Sequence, residues 1–392
     1  NYYNTLYYEN ISSNPQGHTF QFIKNTFLTD EMIDVGTGAH PAFFDADADG
    51  LKDLIIGNDF YYYTGGVRKS LLAFYKNTGT SIAPQFELIT RDYANLSAGN
   101  FLGAYPTFGD IDGDGDDDMI TGNTDASITL FRNTAGSGNA AVFVLDSLNY
   151  QGVTVGTFGQ QSIPVLFDLN KDGLLDLVLG RRTGTLRYYQ NTGTSTNAVF
   201  TLITDTLGSV DVHDPMNLLG YSAPVFYDSA GVTQLLIGTF NGHIFKYDNI
   251  DNNINGIFNK VDSMYEGIFE PTNAVPAIAD LNSDGLIDMV VGNLAGGLRY
   301  YTKLVVNLSE QLPDPVFSCY PNPASSVINV EFQNASVTLR TIKVIDVLGR
   351  NVITWNATSR KVQLDVSALM SGTYVITAEE GGKSITQKII IK

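Results

Sequence analysis

Oxygen-bearing side chains recur in this sequence at one fixed spacing. Asp45, Asp47, Asp49 and Asp53 occupy positions one, three, five and nine of a nine-residue stretch whose sixth residue is Gly50. The pattern returns with Asp110, Asp112, Asp114 and Asp118 around Gly115, and with Asp168, Asn170, Asp172 and Asp176 around Gly173. A fourth copy holds Asp280, Asn282, Asp284 and Asp288 around Gly285. Side-chain oxygens so placed can converge on one hard cation, and the carbonyl of Leu51, Asp116, Leu174 or Leu286 at position seven supplies a further ligand. Calcium takes ~6–8 oxygens in irregular geometry, whereas magnesium needs a near-octahedral set, so the spacing points to about four calcium ions in structural roles. Glycine at position six permits the sharp turn back over the ion. Position twelve, where an EF-hand carries Glu, is Ile56, Thr121, Leu179 and Val291, and the flanks read as strands. These loops are therefore not EF-hands. Fourteen aspartates in the four sets would repel one another without cations.

The loops sit at matching places in a longer repeat. Each follows a Pro-led apolar run, and a fifth copy, Pro224-Val-Phe-Tyr-Asp228, keeps only the first aspartate. The five leading aspartates, 45, 110, 168, 228 and 280, lie 65, 58, 60 and 52 residues apart. After each comes a short apolar run ending in Gly, then an aromatic strand ending near Asn, and in most copies a fourth strand. Four short strands per unit with Gly, Asn and Thr turns describe a β-propeller blade. The second strand is apolar throughout and should be buried on both faces. The fourth unit, with Asp228-Ser-Ala-Gly-Val, should carry no ion. Leu6–Asn10 and Thr19–Ile23 match a third and a fourth strand, so residues 1–30 read as a partial blade, with further blades expected upstream.

Composition separates two regions. The chain has 392 residues and a net charge of −18. From residue 313 onward there are six acids and eight bases, leaving 35 acids against 15 bases in the first 312 residues. So acidic a body argues against nucleic acid as a partner. No apolar run reaches the ~18–20 residues that span a bilayer. One cysteine, Cys319, rules out an internal disulfide. The four histidines show no zinc-type spacing, and neither a nucleophile elbow nor a Cys/His pair is present. The expected organisation is a β-propeller over residues 1–306 (the partial blade, then five blades), a linker over 307–315, and a small β-sandwich over 316–392.

Residues 1–306 resemble the FG-GAP/VCBS repeats of integrin-type propellers, a likeness carried by the four loops and their spacing. It implies calcium in those loops and extracellular recognition work. The C-terminal part is similar to the type A sorting domain of the bacterial type IX secretion system. Tyr320-Pro-Asn-Pro-Ala324, Asp346-Val-Leu-Gly-Arg350, Leu364–Leu369, Ser371-Gly-Thr-Tyr-Val375 and Lys388-Ile-Ile-Ile-Lys392 carry that resemblance. It implies a Bacteroidota protein passed to the type IX machinery and then released or held at the cell surface. The expectation is a non-enzymatic, calcium-stabilised propeller that recognises an extracellular glycan or protein. The alternatives are an accessory propeller of a polysaccharide-acting enzyme or a structural stalk.

Overall fold

The structure, a computed structural model, describes residues 7–10, 20–24, 33–63, 65–156, 160–214, 216, 219–302, 317–332, 340–346, 349–380 and 383–392. The chain divides into two compact units, Asn1–Lys303 and Leu304–Lys392. Among the described residues no helix is long and apolar enough to cross a membrane. The segment 307–315, read as a linker, lies outside the described residues.

The first unit is a succession of antiparallel sheets, each built from strands in chain order. Thr37–Phe44, Asp53–Tyr62, Leu72–Asn77 and Phe86–Thr90 form the first, with the short Arg68–Lys69 strand on its flank. The second contains Tyr105–Gly109, Asp118–Gly122, Ile128–Asn133 and Phe143–Ser147. Ser162–Phe167, Asp176–Arg181, Leu186–Asn191 and Phe200–Thr204 make the third. The fourth has Ala223–Ser229, Val232–Gly238, Ile244–Asp248 and Asn259–Asp262. A fifth has three strands, Val275–Ala279, Asp288–Gly292 and Leu298–Tyr301.

The innermost strands of these sheets neighbour one another in cyclic order, and Val275–Ala279 of the fifth lies against Thr37–Phe44 of the first. One backbone hydrogen bond repeats at every junction. Ala104 N donates to Asn58 O, Ser162 to Asn123, Ser222 to Arg181, Ala274 to Thr239, and Ala39 to Asn293, all at 2.9–3.1 Å. The last of these is the seam. Through that bond the fifth sheet meets the first as each other pair meets. Tyr7–Asn10 and Phe20–Lys24 pair with each other in a two-stranded sheet of their own. The remaining residues of the expected partial blade lie outside the described ones.

The physical basis of the repeat is burial between sheets. Leu54–Ile56, Met119 and Ile120, Leu177–Leu179, Leu235–Ile237 and Met289–Val291 are all buried. Each such side chain contributes roughly 1.5–3 kcal/mol, which is why these runs lack the alternation of a half-exposed strand. The fourth strands are exposed over three or more consecutive residues and show Leu88, Val144, Leu202 and Val261 to solvent. Short 3₁₀ turns after the fourth strands, such as Leu207–Ser209, were not legible in the sequence.

The glycine that ends each second strand has a packing role. A Cβ on Gly180 would fall 2.0 Å from the carbonyl oxygen of Ser222 and 2.6 Å from Cδ of Pro224 in the next sheet. Gly57, Gly122, Gly238 and Gly292 meet the equivalent carbonyl at 1.6–2.1 Å. Gly180→Ala is therefore expected to destabilise the first unit by roughly 3 kcal/mol, the upper end of overpacking costs, because the blocking atom is backbone. Urea titration followed by circular dichroism measures this, and an unchanged midpoint would refute the packing argument.

The second unit is two facing layers. Phe317–Tyr320, Val327–Phe332 and Lys361–Asp365 form one sheet, and Asn351–Ala357, Arg340–Asp346, Gly372–Glu380 and Lys383–Ile391 form the other. Inward alternation along Val327–Phe332 buries Ile328, Val330 and Phe332 against Ile342, Val344, Ile376 and Ile389. Cys319 lies in this core, and burial pushes its thiol up to about 12. Such a thiol is chemically inert at neutral pH.

Candidate metal sites

Each of the four acidic loops joins the first and second strands of its sheet. The leading aspartate organises the turn by accepting two backbone donors. Asp45 accepts from Asp49 N at 3.2 Å and Gly50 N at 2.9 Å. Asp168 accepts from Asp172 N and Gly173 N at 3.1 and 2.9 Å, and Asp280 from Asp284 N and Gly285 N at 3.2 and 3.0 Å. Asp110 holds Gly115 N likewise, but its second donor is Gly113 N, at position four instead of five. Position five then caps position seven, as in Leu51 N to Asp49 Oδ1 at 2.9 Å and Leu174 N to Asp172 Oδ1 at 2.9 Å. The glycine at position six has a φ between +80° and +90° in all four copies, which explains the residue type. Position four is also left-handed, at Ala48, Gly113, Lys171 and Ser283, a constraint that the mixed residue types concealed.

The position-nine aspartates stand apart. Asp53, Asp118, Asp176 and Asp288 are buried at the start of the second strand. Asp53 accepts from Ala46 N at 2.9 Å and from Asn77 N at 2.7 Å. Asp118 accepts from Asn133 N at 2.9 Å. Asp176 takes Leu169 N, Asn191 N and the Tyr188 hydroxyl at 3.2, 2.8 and 2.8 Å. Asp288 takes Leu281 N at 3.0 Å. The asparagine ending the third strand is thus part of the loop's support, and its Oδ1 in turn accepts from Gly79 N and Gln85 N in the first sheet. Sequence reading used that asparagine only as a strand boundary.

Asp45, Asp47 and Asp49 bring one carboxylate oxygen each within 4.8 Å of the others, as do Asp110, Asp112 and Asp114. Either trio could hold a metal ion. In the third and fourth loops Asn170 and Asn282 take position three, and each Oδ1 accepts from the backbone N of position five, at 2.9 and 3.0 Å. The position-nine residues are not members of the two trios.

Several oxygens have no protein donor. Asp47 Oδ1, Asp112 Oδ1 and Asp116 Oδ1 are buried without a hydrogen-bond partner. An unpaired buried carboxylate oxygen is costly, and a cation removes the cost, so these residues fit a metal. Side-chain cations mark the same places. Lys76 Nζ contacts Asp47 and lies 3.1 Å from Asp49 Oδ2. Arg132 Nη1 lies 2.9 Å from Asp112 Oδ2 and 2.6 Å from Asp118 Oδ2, so positive charge bridges positions three and nine. The residue in register with Lys76 and Arg132 in the third sheet is Gln190, which leaves that loop without a cationic side chain from this strand. Burial pushes the carboxyls of Asp53 and Asp118 up to about 6, so their ionised forms gain from any cation nearby.

The fourth sheet replaces the loop with a hairpin. Ser229 and Val232 pair directly across Ala230 and Gly231, whose φ values of 51° and 80° suit a two-residue primed turn. Thr233 Oγ1 bonds Asp228 Oδ1 at 3.0 Å and Asp251 Oδ1 at 2.6 Å, and Lys171 Nζ lies 2.8 Å from Asp251. Covalent turn geometry and this ion pair close the end that four oxygens close elsewhere.

In the second unit, two of the sequence motifs acquire a mechanical meaning. Asn322 of the Tyr320–Ala324 motif donates to Lys388 O at 3.0 Å and accepts from Ile390 N at 2.8 Å, while Lys392 N donates to Ala324 O at 2.8 Å. The motif therefore fastens the terminal strand. Asp346 bonds both the backbone N and the Nε of Arg350, closing the turn at Gly349.

Residues 318–392 match the family described as the secretion system C-terminal sorting domain. This domain marks the chain for export by type IX secretion to the cell surface or the extracellular space. No curated protein matches the chain. Among solved structures, one similar chain is PorZ, a surface component of the type IX secretion system of Porphyromonas gingivalis. Identity is 14% over 86% of this chain and 45% of that one, with a TM-score of 0.29. This chain thus spans less than half of PorZ. A GH43 glycoside hydrolase with engineered endo-xylanase and exo-arabinofuranosidase activity is 9% identical over 91% of both chains, TM-score 0.38. The extracellular domain of a one-component system from B. thetaiotaomicron is 11% identical over 92% of this chain and 59% of that one, TM-score 0.27.

Proposed function

We propose that the first unit is a calcium-stabilised β-propeller of the FG-GAP/VCBS kind, carried out of the cell by the sorting domain to recognise an extracellular glycan or protein. The observation that carries the calcium reading is the set of orphaned carboxylate oxygens, Asp47 Oδ1 and Asp112 Oδ1, inside loops of one repeated geometry. Asp45, Asp47, Asp49 and Asp53 would hold the first ion, and Asp110, Asp112, Asp114, Asp116 and Asp118 the second. Asp168, Asn170, Asp172 and Asp176 would hold the third, and Asp280, Asn282, Asp284 and Asp288 the fourth, with the carbonyls of Leu51, Leu174 and Leu286 assisting. The ions fix the turn between two strands and leave the chain's other surfaces free for recognition. A binding role, with no catalysis, is favoured because the closest carboxylate groupings are committed to these turns.

The test is a glycan-array and pull-down screen with the full chain, in calcium and in EGTA. Retention of a glycan or an extracellular protein in calcium, lost in EGTA, is the expected result. A screen blank in both arms would overturn the recognition reading while leaving the calcium sites to be judged by stability.

A further inference from the structure

The sheets of the first unit place polar side chains at the ends of their first two strands opposite the acidic loops. The residues preceding the five prolines form a layer there. Tyr105, Ile163, Ala223 and Val275 pack together, and the His40 ring lies 4.0 Å from that of Tyr105. His40 and Tyr105 also line an axial cavity of about 220 Å³. Around this layer the Tyr105 hydroxyl donates to Asp59 Oδ1 at 2.6 Å, and Gln161 Nε2 donates to Tyr105 Oη at 3.0 Å and approaches Asp59 Oδ1 at 3.4 Å. His40 Nε2 is 3.8 Å from the same carboxylate oxygen. Gly38 makes room, since a Cβ there would lie 2.5 Å from Asp59 Oδ2. Next to these stand Tyr221, stacked on Phe240 at 5.6 Å, and Arg182, whose guanidinium carbon is 5.8 Å from the Tyr221 ring.

This cluster has no role in holding the sheets comparable to that of the glycine contacts, and it is incompletely satisfied. His40, only 5% exposed, has Nδ1 without a partner, and Arg182 Nε and Asn273 Oδ1 are likewise buried and unpaired. Native proteins rarely leave such atoms unserved, and a ligand or water must reach them. We propose that this axial cluster is the recognition site and that it takes one neutral sugar residue, the end of a glycan chain; the proposal rests on the recognition reading above. Asp59 accepts only, Arg182 donates only, and the Gln161 and Asn273 amides do both. A ring of vicinal hydroxyls, each donor and acceptor, satisfies that mixture, and the Tyr221–Phe240 pair offers an apolar face for its C–H edge. Asp59 and Arg182 balance in charge, so a neutral ligand fits. The acidic body, 35 acids against 15 bases over the first 312 residues, disfavours an anionic one.

Calorimetric titration of the full chain, in calcium, with neutral oligosaccharides of gluco, galacto, manno, xylo and arabino termini tests this. At least one should bind, and Tyr221→Ala and Asp59→Asn should each weaken it by tenfold or more while the unfolding midpoint stays within a few degrees. If Asp59→Asn melts early because the Tyr105 hydroxyl loses a charged acceptor, Arg182→Ala gives the same readout from a side chain outside that pair. Binding unchanged in Tyr221→Ala and Arg182→Ala would overturn the axial site but leave glycan recognition standing. Absence of binding by every sugar would overturn the sugar assignment, and the protein pull-down would then decide recognition separately.

Discussion

Chelation of calcium by EGTA should lower the unfolding midpoint of the first unit by on the order of 20 °C, and leave that of the second unit unmoved. A ligand bound only to the folded state adds RT ln(1 + [L]/Kd), about 2.7 kcal/mol per site at a hundredfold excess over Kd. Four loops would together contribute roughly 11 kcal/mol, comparable to the whole stability of many domains. A domain of this size converts each kcal/mol into about 2 °C. The chain supplies its own control. Its one tryptophan, Trp355, lies in the second unit, where no acidic loop occurs, so indole fluorescence follows that unit alone. The 19 tyrosines before residue 304 cannot be separated optically from Tyr320 and Tyr374, so calorimetry or far-ultraviolet dichroism should follow the first unit. A first-unit transition that ignores EGTA would sink the proposal of structural calcium, whatever the loops look like.

The parts of the fold that were legible in sequence are those that one dominant force dictates. Apolar second strands announce burial on both faces, and Asp-x-Asp spacing announces oxygens around a turn. Gly57 and its four counterparts were visible as strand ends, but their reason was not. It lies in a carbonyl oxygen of the neighbouring sheet, 36 to 47 residues further along the chain for four of them and back at Ala39 for Gly292. The contact between the fifth and first sheets was not legible for the same reason. The match of residues 6–10 and 19–23 to third and fourth strands is a local similarity, whereas the Ala39–Asn293 bond at the seam joins residues that no local pattern connects. The axial cluster was missed because its members come from separate repeats. His40 looked isolated among scattered histidines, and the repeat positions that Asp59, Gln161 and Tyr221 occupy carry varied residue types from copy to copy. Only the converging geometry of the inner strands brings Asp59, Tyr105 and Gln161 within hydrogen-bond reach.

The third loop allows the ion's contribution to be separated from that of the loop's own hydrogen bonds. Asp168 is half-buried and its two backbone donors face water, so Asp168→Ala should cost mainly the ion, about 2.7 kcal/mol in calcium and close to nothing in EGTA. Asp176 is fully buried and serves four donors, Leu169 N, Asn170 N, Asn191 N and the Tyr188 hydroxyl. Asp176→Ala leaves them unpaired at roughly 1–3 kcal/mol each, so a loss of at least 3 kcal/mol should persist in EGTA. The double variant then decides whether position nine is also a ligand. If Asp176 coordinates the ion, as the Arg132 bridge between Asp112 and Asp118 suggests for the second loop, the single change already expels it. Adding Asp168→Ala would then cost nothing further, and the two effects fall short of additivity by about 2.7 kcal/mol in calcium. Full additivity in calcium would instead make Asp176 a clamp beneath the ion, and the ligand set of the third loop would shrink to Asp168, Asn170, Asp172 and the Leu174 carbonyl.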